Sequence, residues 1–197
     1  MKPRFSANYT QPQLWRRMLN RFVGKPVKFL EIGCYEGRSS IWFVRNILTH
    51  PDASLTCVDP FLKPCKPYAT GDRPSPEGIF LHNCSASAVD HKIKLQSGFS
   101  VDVLPRLEDS YQLIYIDGDH TAAAVSQDIE LSWPLLLPGG ILLFDDYLWK
   151  GGRTVEDRPR KAIDRFLRGY RGRYVLLHKG WQVAVRKLTS EERAFPA

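Results

Sequence analysis

Carboxylates stand at the ends of several apolar runs in this chain, and they are the residues best placed to do chemistry. Glu31, Asp59 and Asp117 each close such a run, and Asp145 with Asp146 closes another. In open parallel sheets, ligands bind beyond the carboxyl ends of the strands. The spacing therefore predicts an acidic site at one edge of a sheet, suited to a ligand with hydroxyl groups or positive charge.

The segment 33–37, Gly-Cys-Tyr-Glu-Gly, predicts a tight turn between a strand and a helix. Gly33 and Gly37 let the backbone turn sharply and admit a ligand close to the main chain. The start of the following helix offers free N–H groups. Asp59 lies 26 residues beyond Gly33, where a carboxylate can accept both hydroxyls of a ribose. A ribose-bearing cofactor is expected, with its adenine near residues 97–99.

The charge of the turn helps to decide between two ribose-bearing cofactors, a nicotinamide dinucleotide and S-adenosylmethionine. Glu36 and the nearby Glu31 would repel the two phosphates of a nicotinamide dinucleotide, and the turn has fewer glycines than the dinucleotide motif. The ammonium and sulfonium groups of S-adenosylmethionine would instead be attracted. Electrostatics therefore favours the methyl donor over NAD.

The acids of two later strands form a candidate metal site. Asp117 ends one strand, and Asp145 and Asp146 end the next. Carboxylate oxygens gathered in this way suit Mg²⁺, which binds through a few carboxylates, substrate oxygens and water. Acids at strand ends also cap helices and order turns, so the residues alone leave the metal open.

His120 follows Asp117 by three residues and is a candidate general base. An imidazole with an ordinary pKa near ~6.5 can take a proton from an acceptor hydroxyl at neutral pH. The alternative is a histidine bonded to the backbone at the start of a helix.

Alternating strand and helix patterns from residue 27 onward predict an α/β fold. Strands are expected at 27–32, 54–59, 92–96, 111–117, 140–144, 173–178 and 182–186. Helices are expected at 11–22, 37–49, 76–89, 100–107, 121–136 and 159–170. The short junction between the last two strands requires a hairpin. The prediction is a single-domain, Rossmann-like, seven-stranded and mostly parallel sheet, with one antiparallel strand and helices on both faces.

Domain organisation, composition and charge narrow the classes of function. One domain is expected over 1–197, with a helical N-terminal extension at 1–26 and a proline-rich loop insertion at 60–75. Four cysteines without CxxC spacing predict free thiols, and no signal or membrane-spanning pattern is found, so a cytoplasmic protein is expected. Residues 1–28 and 150–187 are strongly basic around an acidic centre. Such ends attract anions or are simply solvated.

Four segments together resemble class I S-adenosylmethionine-dependent methyltransferases. They are Glu-Ile-Gly-Cys-Tyr-Glu-Gly-Arg-Ser (31–39), Cys-Val-Asp-Pro-Phe (57–61), Ile-Tyr-Ile-Asp-Gly-Asp-His (114–120) and Trp-Pro-Leu-Leu-Leu-Pro-Gly-Gly-Ile-Leu-Leu-Phe-Asp-Asp-Tyr-Leu-Trp (133–149). The most similar group is the methyltransferase-24 type, related to catechol O-methyltransferase and macrocin-type O-methyltransferases. The resemblance covers about residues 27–150.

The resemblance implies roles for individual residues. Glu31, Gly33, Tyr35 and Ser39 match positions at the methionine end of the cofactor, and Asp59 matches the ribose acid. The expected cofactor-binding set is Glu31, Gly33, Cys34, Tyr35, Glu36, Gly37, Ser39, Asp59, Pro60, Phe61, Ser97, Gly98, Phe99, Asp117 and Gly118. The expected Mg²⁺ ligands are Asp117, Asp145 and Asp146.

The expected catalytic residues are Asp117 and His120. His120 stands where catechol O-methyltransferase carries its catalytic lysine, and this departure leaves the identity of the base open. Tyr147 and Trp149 are expected to wall the acceptor pocket.

The resulting hypothesis is an O-methyltransferase that uses S-adenosylmethionine, assisted by Mg²⁺, on a small hydroxylated acceptor such as a sugar or a phenol. A nucleic-acid methyltransferase is the less favoured alternative, motivated by the basic ends. A module that binds the cofactor without chemistry is a third. Related enzymes are often dimers, so a homodimer is an expectation for the assembly, and no membrane partner is expected.

Overall fold

The computed structural model describes residues 2–5, 11–63, 75–151 and 154–194. Its seven strands follow the order β3-β2-β1-β4-β5-β7-β6 in one sheet. The strands are β1 (Lys28–Ile32), β2 (Ser54–Asp59), β3 (Ile93–Ser97), β4 (Tyr111–Ile116), β5 (Leu136–Phe144), β6 (Tyr174–Lys179) and β7 (Val183–Lys187). The expected fold class is confirmed: β7 alone runs against its neighbours.

Seven α-helices accompany the strands in the described part of the chain. They are α1 (Pro12–Leu19), α2 (Arg38–Asn46), α3 (Pro76–Ala86), α4 (Ser100–Val103), α5 (Ala122–Ser132), α6 (Pro159–Gly169) and α7 (Ser190–Ala194). Two helices next to predicted site residues have side-chain caps: the Ser75 hydroxyl accepts from the Gly78 N–H, and the Thr121 hydroxyl accepts from the Ala124 N–H. Such caps satisfy N–H groups that a helix leaves unpaired.

The chain divides into two compact units. The first comprises residues 1–27 and 34–99, and the second comprises 28–33 and 100–197. In the first unit, β2 and β3 pair in parallel, which places Asp59 beside Ser97. An aromatic cluster joins α1 to α2, since the Trp15 ring stacks on Phe43 at 4.7 Å and meets Trp42 edge-on at 5.0 Å.

In the second unit, β4 pairs in parallel with β1 and β5, and β7 pairs antiparallel with β5 and β6. β1, β4 and β5 are apolar runs that the fold buries almost completely. This is typical of strands covered on both faces. The rings of α6 and its neighbours (Trp133, Phe144, Phe166, Tyr170 and Tyr174) pack together on this sheet.

Some element boundaries differ from those predicted. β5 begins at Leu136, although Pro138, Gly139 and Gly140 indicate a turn. The structure accommodates them through an irregular register, in which Tyr111 pairs with Leu136 and Leu113 already pairs with Ile141. α2, α3 and α5 each end several residues earlier than expected.

The domain boundaries stay a prediction, and of the proposed 60–75 insertion, residues 64–74 lie outside the described ones. Among the helices described, none has the length and apolar character needed to cross a membrane.

Candidate active site

Asp59, at the end of β2, holds two strained backbone positions in the first unit. Its Oδ2 accepts the Tyr35 N–H at 2.8 Å, and its Oδ1 accepts the Phe61 N–H at 2.6 Å. The backbone φ angles of Tyr35 (+45°) and Phe61 (+52°) lie in the left-handed region, which residues other than glycine rarely adopt. Residues in such conformations cluster at ligand sites. The Asp59 carboxylate, the turn at Tyr35 and the backbone at Phe61 therefore form one candidate binding element.

The turn before α2 is enclosed by α3. Gly37 has φ +80° and caps α2, and a Cβ there would lie 3.0 Å from the Phe80 ring. Cys34, Glu36 and Ser39 around it are buried. The sequence-predicted residues of the turn are thus brought together in a packed backbone loop rather than an exposed one.

The predicted adenine segment lies beside Asp59. The Gly98 N–H donates to the Asp59 carbonyl at 3.0 Å, and the Ser97 hydroxyl donates to Glu77. The Phe99 side chain is 53% exposed. The exposed phenyl ring, one residue from the Gly98 N–H that bonds to Asp59, is a candidate stacking surface for an aromatic base.

In the second unit, β1 carries Glu31 and is followed directly by Gly33. Glu31 is fully buried. Gly33 has φ +87°, and a Cβ there would lie 2.2 Å from the carbonyl oxygen of Asp117. The Asp117 N–H donates to the Ile32 carbonyl at 2.8 Å. The two strand ends therefore approach so closely that only glycine fits.

Asp117, His120 and Asp146 form the centre of the acidic cluster. The Nε2 of His120 lies 3.0 Å from Oδ2 of Asp146 and 3.7 Å from Oδ1 of Asp117. One ligand atom from each residue falls within a common span of 4.8 Å. Asp146 has φ +55°, which makes it a third strained non-glycine residue at a predicted site position.

Asp145 points to different partners. Its Oδ2 accepts hydrogen bonds from the Tyr115 hydroxyl and from Nε2 of Gln182 at 2.9 Å, and its Oδ1 accepts the Asp146 N–H at 2.7 Å. The Tyr115 hydroxyl also lies 3.1 Å from Oδ2 of Asp117. Asp145 therefore connects to Asp117 through the Tyr115 hydroxyl and to Asp146 through the backbone N–H. The three residues whose possible ligand atoms lie close together are Asp117, His120 and Asp146.

Burial and charge shift the pKa values of this cluster strongly. Burial raises the pKa of Asp117 to about 7, with the charges of Asp145 and Asp146 adding to the rise and the His120 hydrogen bond opposing it. Burial alone would lower the pKa of His120, but its bonds to Asp117 and Asp146 raise it to about 10. His120 is thus expected to be an imidazolium at neutral pH, 3.0 Å from Asp146 and 3.7 Å from Asp117.

Burial raises the pKa of Tyr115 well above its ordinary value, and the charges of Asp117 and Asp145 add to this. Burial also raises the pKa of Asp145. Tyr115 therefore stays a proton donor at any physiological pH, and it keeps the two carboxylates at fixed positions.

A small pocket opens on the cluster, lined by Asp117, Gly118, His120, Asp145 and Asp146 together with Asp119 and apolar residues. The Trp149 ring packs edge-on against His120 at 5.1 Å. Tyr147 is buried, and its hydroxyl donates to Asp164 at 2.9 Å. Of the two predicted acceptor-pocket aromatics, Trp149 is the one in contact with the cluster.

The donor set of the cluster fits a divalent cation. Asp117 and Asp146 supply carboxylate oxygens within one span, and Mg²⁺ in proteins uses one or two carboxylates completed by water and substrate oxygens. The His120 nitrogen is a ligand type that transition metals accept more readily than Mg²⁺ does. His120 in its charged form competes with any cation for the same carboxylates.

Sequence reasoning missed Tyr115 and Gln182 as partners of the acids. Tyr115 lies inside an apolar strand, where a tyrosine is typical of a core. Gln182 follows a hairpin turn far along the chain. A signal existed for Tyr115 alone, since it precedes Asp117 by two residues and so lies on the same strand face.

Comparison with known proteins adds an independent finding. A family model described as "Methyltransferase domain" (the methyltransferase-24 type) matches residues 30–147. The Dictyostelium discoideum protein named Probable caffeoyl-CoA O-methyltransferase 3 is 30% identical over 151 residues, which are 72% of this chain and 52% of that protein. The chain spans about half the length of the curated relatives it matches.

Two solved structures show the same fold. The O-methyltransferase TomG from Streptomyces achromogenes, in complex with S-adenosylmethionine, has a TM-score of 0.65 at 19% identity, covering 92% of this chain and 82% of its own. MycE of mycinamycin biosynthesis, in complex with Mg, S-adenosylhomocysteine and mycinamycin VI, has a TM-score of 0.62 at 16% identity, covering 90% of this chain and 48% of its own.

Proposed function

Because this chain belongs to the methyltransferase-24 type of methyltransferase domains, we propose that it transfers a methyl group from S-adenosylmethionine to a hydroxyl oxygen of a small acceptor, a sugar or a phenol. Two features expected from the sequence carry the proposal, one in each unit. Asp59 is fixed by two backbone N–H groups, and Asp117, His120 and Asp146 gather at a small pocket.

The cofactor-binding residues proposed are those that the sequence predicts. Asp59 accepts the ribose hydroxyls with the lone pairs that Tyr35 and Phe61 leave free, and Phe99 stacks on the adenine. Glu31 and the turn from Gly33 to Gly37 hold the methionine end. The remaining contacts come from Ser39, Pro60, Ser97, Gly98 and Gly118. When bound, the cofactor supplies an electrophilic methyl group on a sulfonium ion.

Asp117 is proposed as the residue that takes the acceptor proton. With its pKa raised to about 7, it is ionised in a large fraction of molecules at neutral pH and still basic enough to accept a proton. His120 holds a proton between Asp117 and Asp146 and orients both carboxylates. Its positive charge favours the developing alkoxide or phenoxide of the acceptor.

Mg²⁺ is proposed as a further cofactor that Asp117 and Asp146 would hold in place of the His120 imidazolium. With Mg²⁺ bound, His120 rather than Asp117 would take the acceptor proton, the second of the two bases that the sequence predicts. Tyr115 and Gln182 hold the Asp145 carboxylate through its Oδ2, beside Asp117 and Asp146. When bound, the metal would supply Lewis acidity that lowers the pKa of an acceptor hydroxyl. Mg bound to MycE is consistent with this, and the donor set of the present chain supports it independently.

A reducing, cytoplasmic location is proposed from the sequence, whose four cysteines show no CxxC spacing. A homodimer is proposed through β6, which ends the strand order and carries the exposed residues Val175, Leu176 and Leu177. An edge strand with aliphatic side chains is a ready template for pairing.

The test is transfer of a labelled methyl group to a panel of catechols, sugars, RNA and DNA, with Mg²⁺ or with EDTA. Labelling of a hydroxylated small molecule is expected. Asp117→Asn is expected to lower kcat by about 100-fold or more, the usual contribution of a positioned base. Asp109→Asn is the control, because Asp109 forms an ion pair with Lys28 and does not line the pocket of the cluster.

Labelling of nucleic acid alone would support the less favoured alternative and overturn the small-molecule acceptor. Binding of the cofactor with no transfer to any compound would favour the non-catalytic module.

A further inference from the structure

Asn83, in the middle of α3, is fully buried and binds two segments that are distant in the sequence. Its Oδ1 accepts the Arg4 N–H at 2.6 Å, and its Nδ2 donates to the Arg4 carbonyl at 2.7 Å. The same Nδ2 donates to the Glu36 carbonyl at 2.8 Å. One amide side chain therefore joins residues 2–5, here called the N-terminal strap, to the turn before α2.

A second contact ties the strap to the same turn. The guanidinium carbon of Arg38 lies 4.4 Å from the centre of the Phe5 ring. Arg38 is the first residue of α2 and directly follows Gly37. The strap thus meets the turn on both sides of Gly37, through the carbonyl of Glu36 and through the side chain of Arg38.

This turn needs external support. Tyr35 and Gly37 both have positive φ, and the Gly37 N–H closes the turn on the Cys34 carbonyl at 2.7 Å. Asp59 holds one end of the turn through the Tyr35 N–H, and Asn83 holds the other through Glu36. A loop that is ordered before its ligand arrives binds more tightly, because the ordering entropy is not lost on binding.

We infer that the N-terminal strap pre-organises the cofactor turn through Asn83 and Arg38, and that Phe5 and Asn83 are positioning residues for the binding of S-adenosylmethionine. The inference rests on the proposed function, since it takes this turn to be the one that holds the cofactor. Loss of the strap leaves Asn83 without its Arg4 partners and frees the turn to move. Cofactor affinity then falls although no residue touching the cofactor has changed.

The test is calorimetric titration of the full chain with S-adenosylhomocysteine, together with melting temperatures, for Phe5→Ala, Asn83→Ala and a matched control. Asn46→Ala is the control, because Asn46 also joins two helices, accepting from Arg16 at 3.0 Å and donating to the Trp42 carbonyl at 2.9 Å, away from the turn. Phe5→Ala is expected to weaken binding by about tenfold and Asn83→Ala by more. Phe5→Tyr, which keeps a ring over Arg38, should retain wild-type affinity.

Asn46→Ala should lower the melting temperature without changing the affinity. If wild type binds and Phe5→Ala binds equally well, or loses no more affinity than Asn46→Ala does, the inference is wrong and the proposed function stands. If wild type itself does not bind, both fall. Phe5→Ala decides the question even if Asn83→Ala does not fold.

Discussion

Asp117 and Asp128 are two carboxylates of the second unit whose pKa values burial raises far above that of an aspartate in water. Asp117 reaches about 7 within the acidic cluster. Burial raises the pKa of Asp128 to about 6. The hydrogen bond from the Ser100 hydroxyl at 2.5 Å opposes this rise, and the charge of Asp119 adds to it. Asp117 lines the pocket at the cluster, whereas Asp128 is buried and accepts a hydrogen bond from Ser100. We expect the pKa of Asp117 to bear on chemistry and that of Asp128 to bear on stability.

Asp128→Asn should change how stability depends on pH. Because the folded-state pKa is raised above the ordinary value near 4, the protonated form favours folding below pH 4, and this contribution is lost as pH rises through about 6. A rise of this size corresponds to roughly 3 kcal/mol at most. Urea unfolding of wild type and Asp128→Asn from pH 4 to pH 8 measures the difference. The stability of wild type relative to the variant should fall across pH 4–6, and a constant difference would contradict the account.

The acids of the site could be predicted from the sequence, and their partners could not. Asp59 and Asp117 each follow an apolar run, so strand ends place them at the ligand edge of a parallel sheet. Asn83 lies inside a helix, and its partners are 47 and 79 residues away, so no local pattern indicates its role. The catalytic role of His120 stays a prediction, and its contact with Asp146 at 3.0 Å depends on the fold, which no local pattern indicates.

At the scale of elements, the close approach of β1 and β4 is the constraint that shapes the second unit's part of the site. Gly33→Ala should destabilise the protein by about 4 kcal/mol or more, because its Cβ would lie 2.2 Å from a backbone oxygen. Gly139→Ala is the matched control, since Gly139 has a similar positive φ of +77° and open space around it. That variant should lose only about 1–2 kcal/mol from backbone strain. Chemical unfolding followed by circular dichroism compares them, and equal losses would show that no close approach exists.

The order and type of the predicted elements follow from the alternation of apolar runs and helical patterns, and the structure confirms them and adds α7, which no pattern predicted. The boundaries fail where local signals compete with packing. Pro138 and the two glycines after it indicate a turn, yet β5 continues through them because Leu136 pairs with Tyr111 before the register shifts. α3 ends at Ala86 rather than 89, because Ala88 adopts a φ of +55° and ends the helical run.

At the scale of the whole molecule, a substitution in β6 tests the proposed homodimer. Antiparallel pairing of two β6 strands centred between Leu176 and Leu177 would set Lys179 opposite Tyr174, so cations of the two copies would not face each other. Leu176→Lys should convert the dimer to a monomer, since two charges would be buried at the interface. Light scattering after size exclusion measures the mass. Arg168→Glu on α6 is an exposed control that should stay dimeric, and a monomeric wild type would contradict the proposal.

The central claim, that this chain is an S-adenosylmethionine-dependent enzyme whose Asp59 holds the ribose, is tested most directly by calorimetric titration with S-adenosylhomocysteine. Wild type and Asp59→Ala are compared, each with and without Mg²⁺. Wild type should bind with a Kd on the order of micromolar, and the variant should lose at least about 100-fold, because the carboxylate supplies both the ribose contacts and the two bonds that order the turn and the loop. Absence of binding by wild type, or equal binding by Asp59→Ala, would contradict the account.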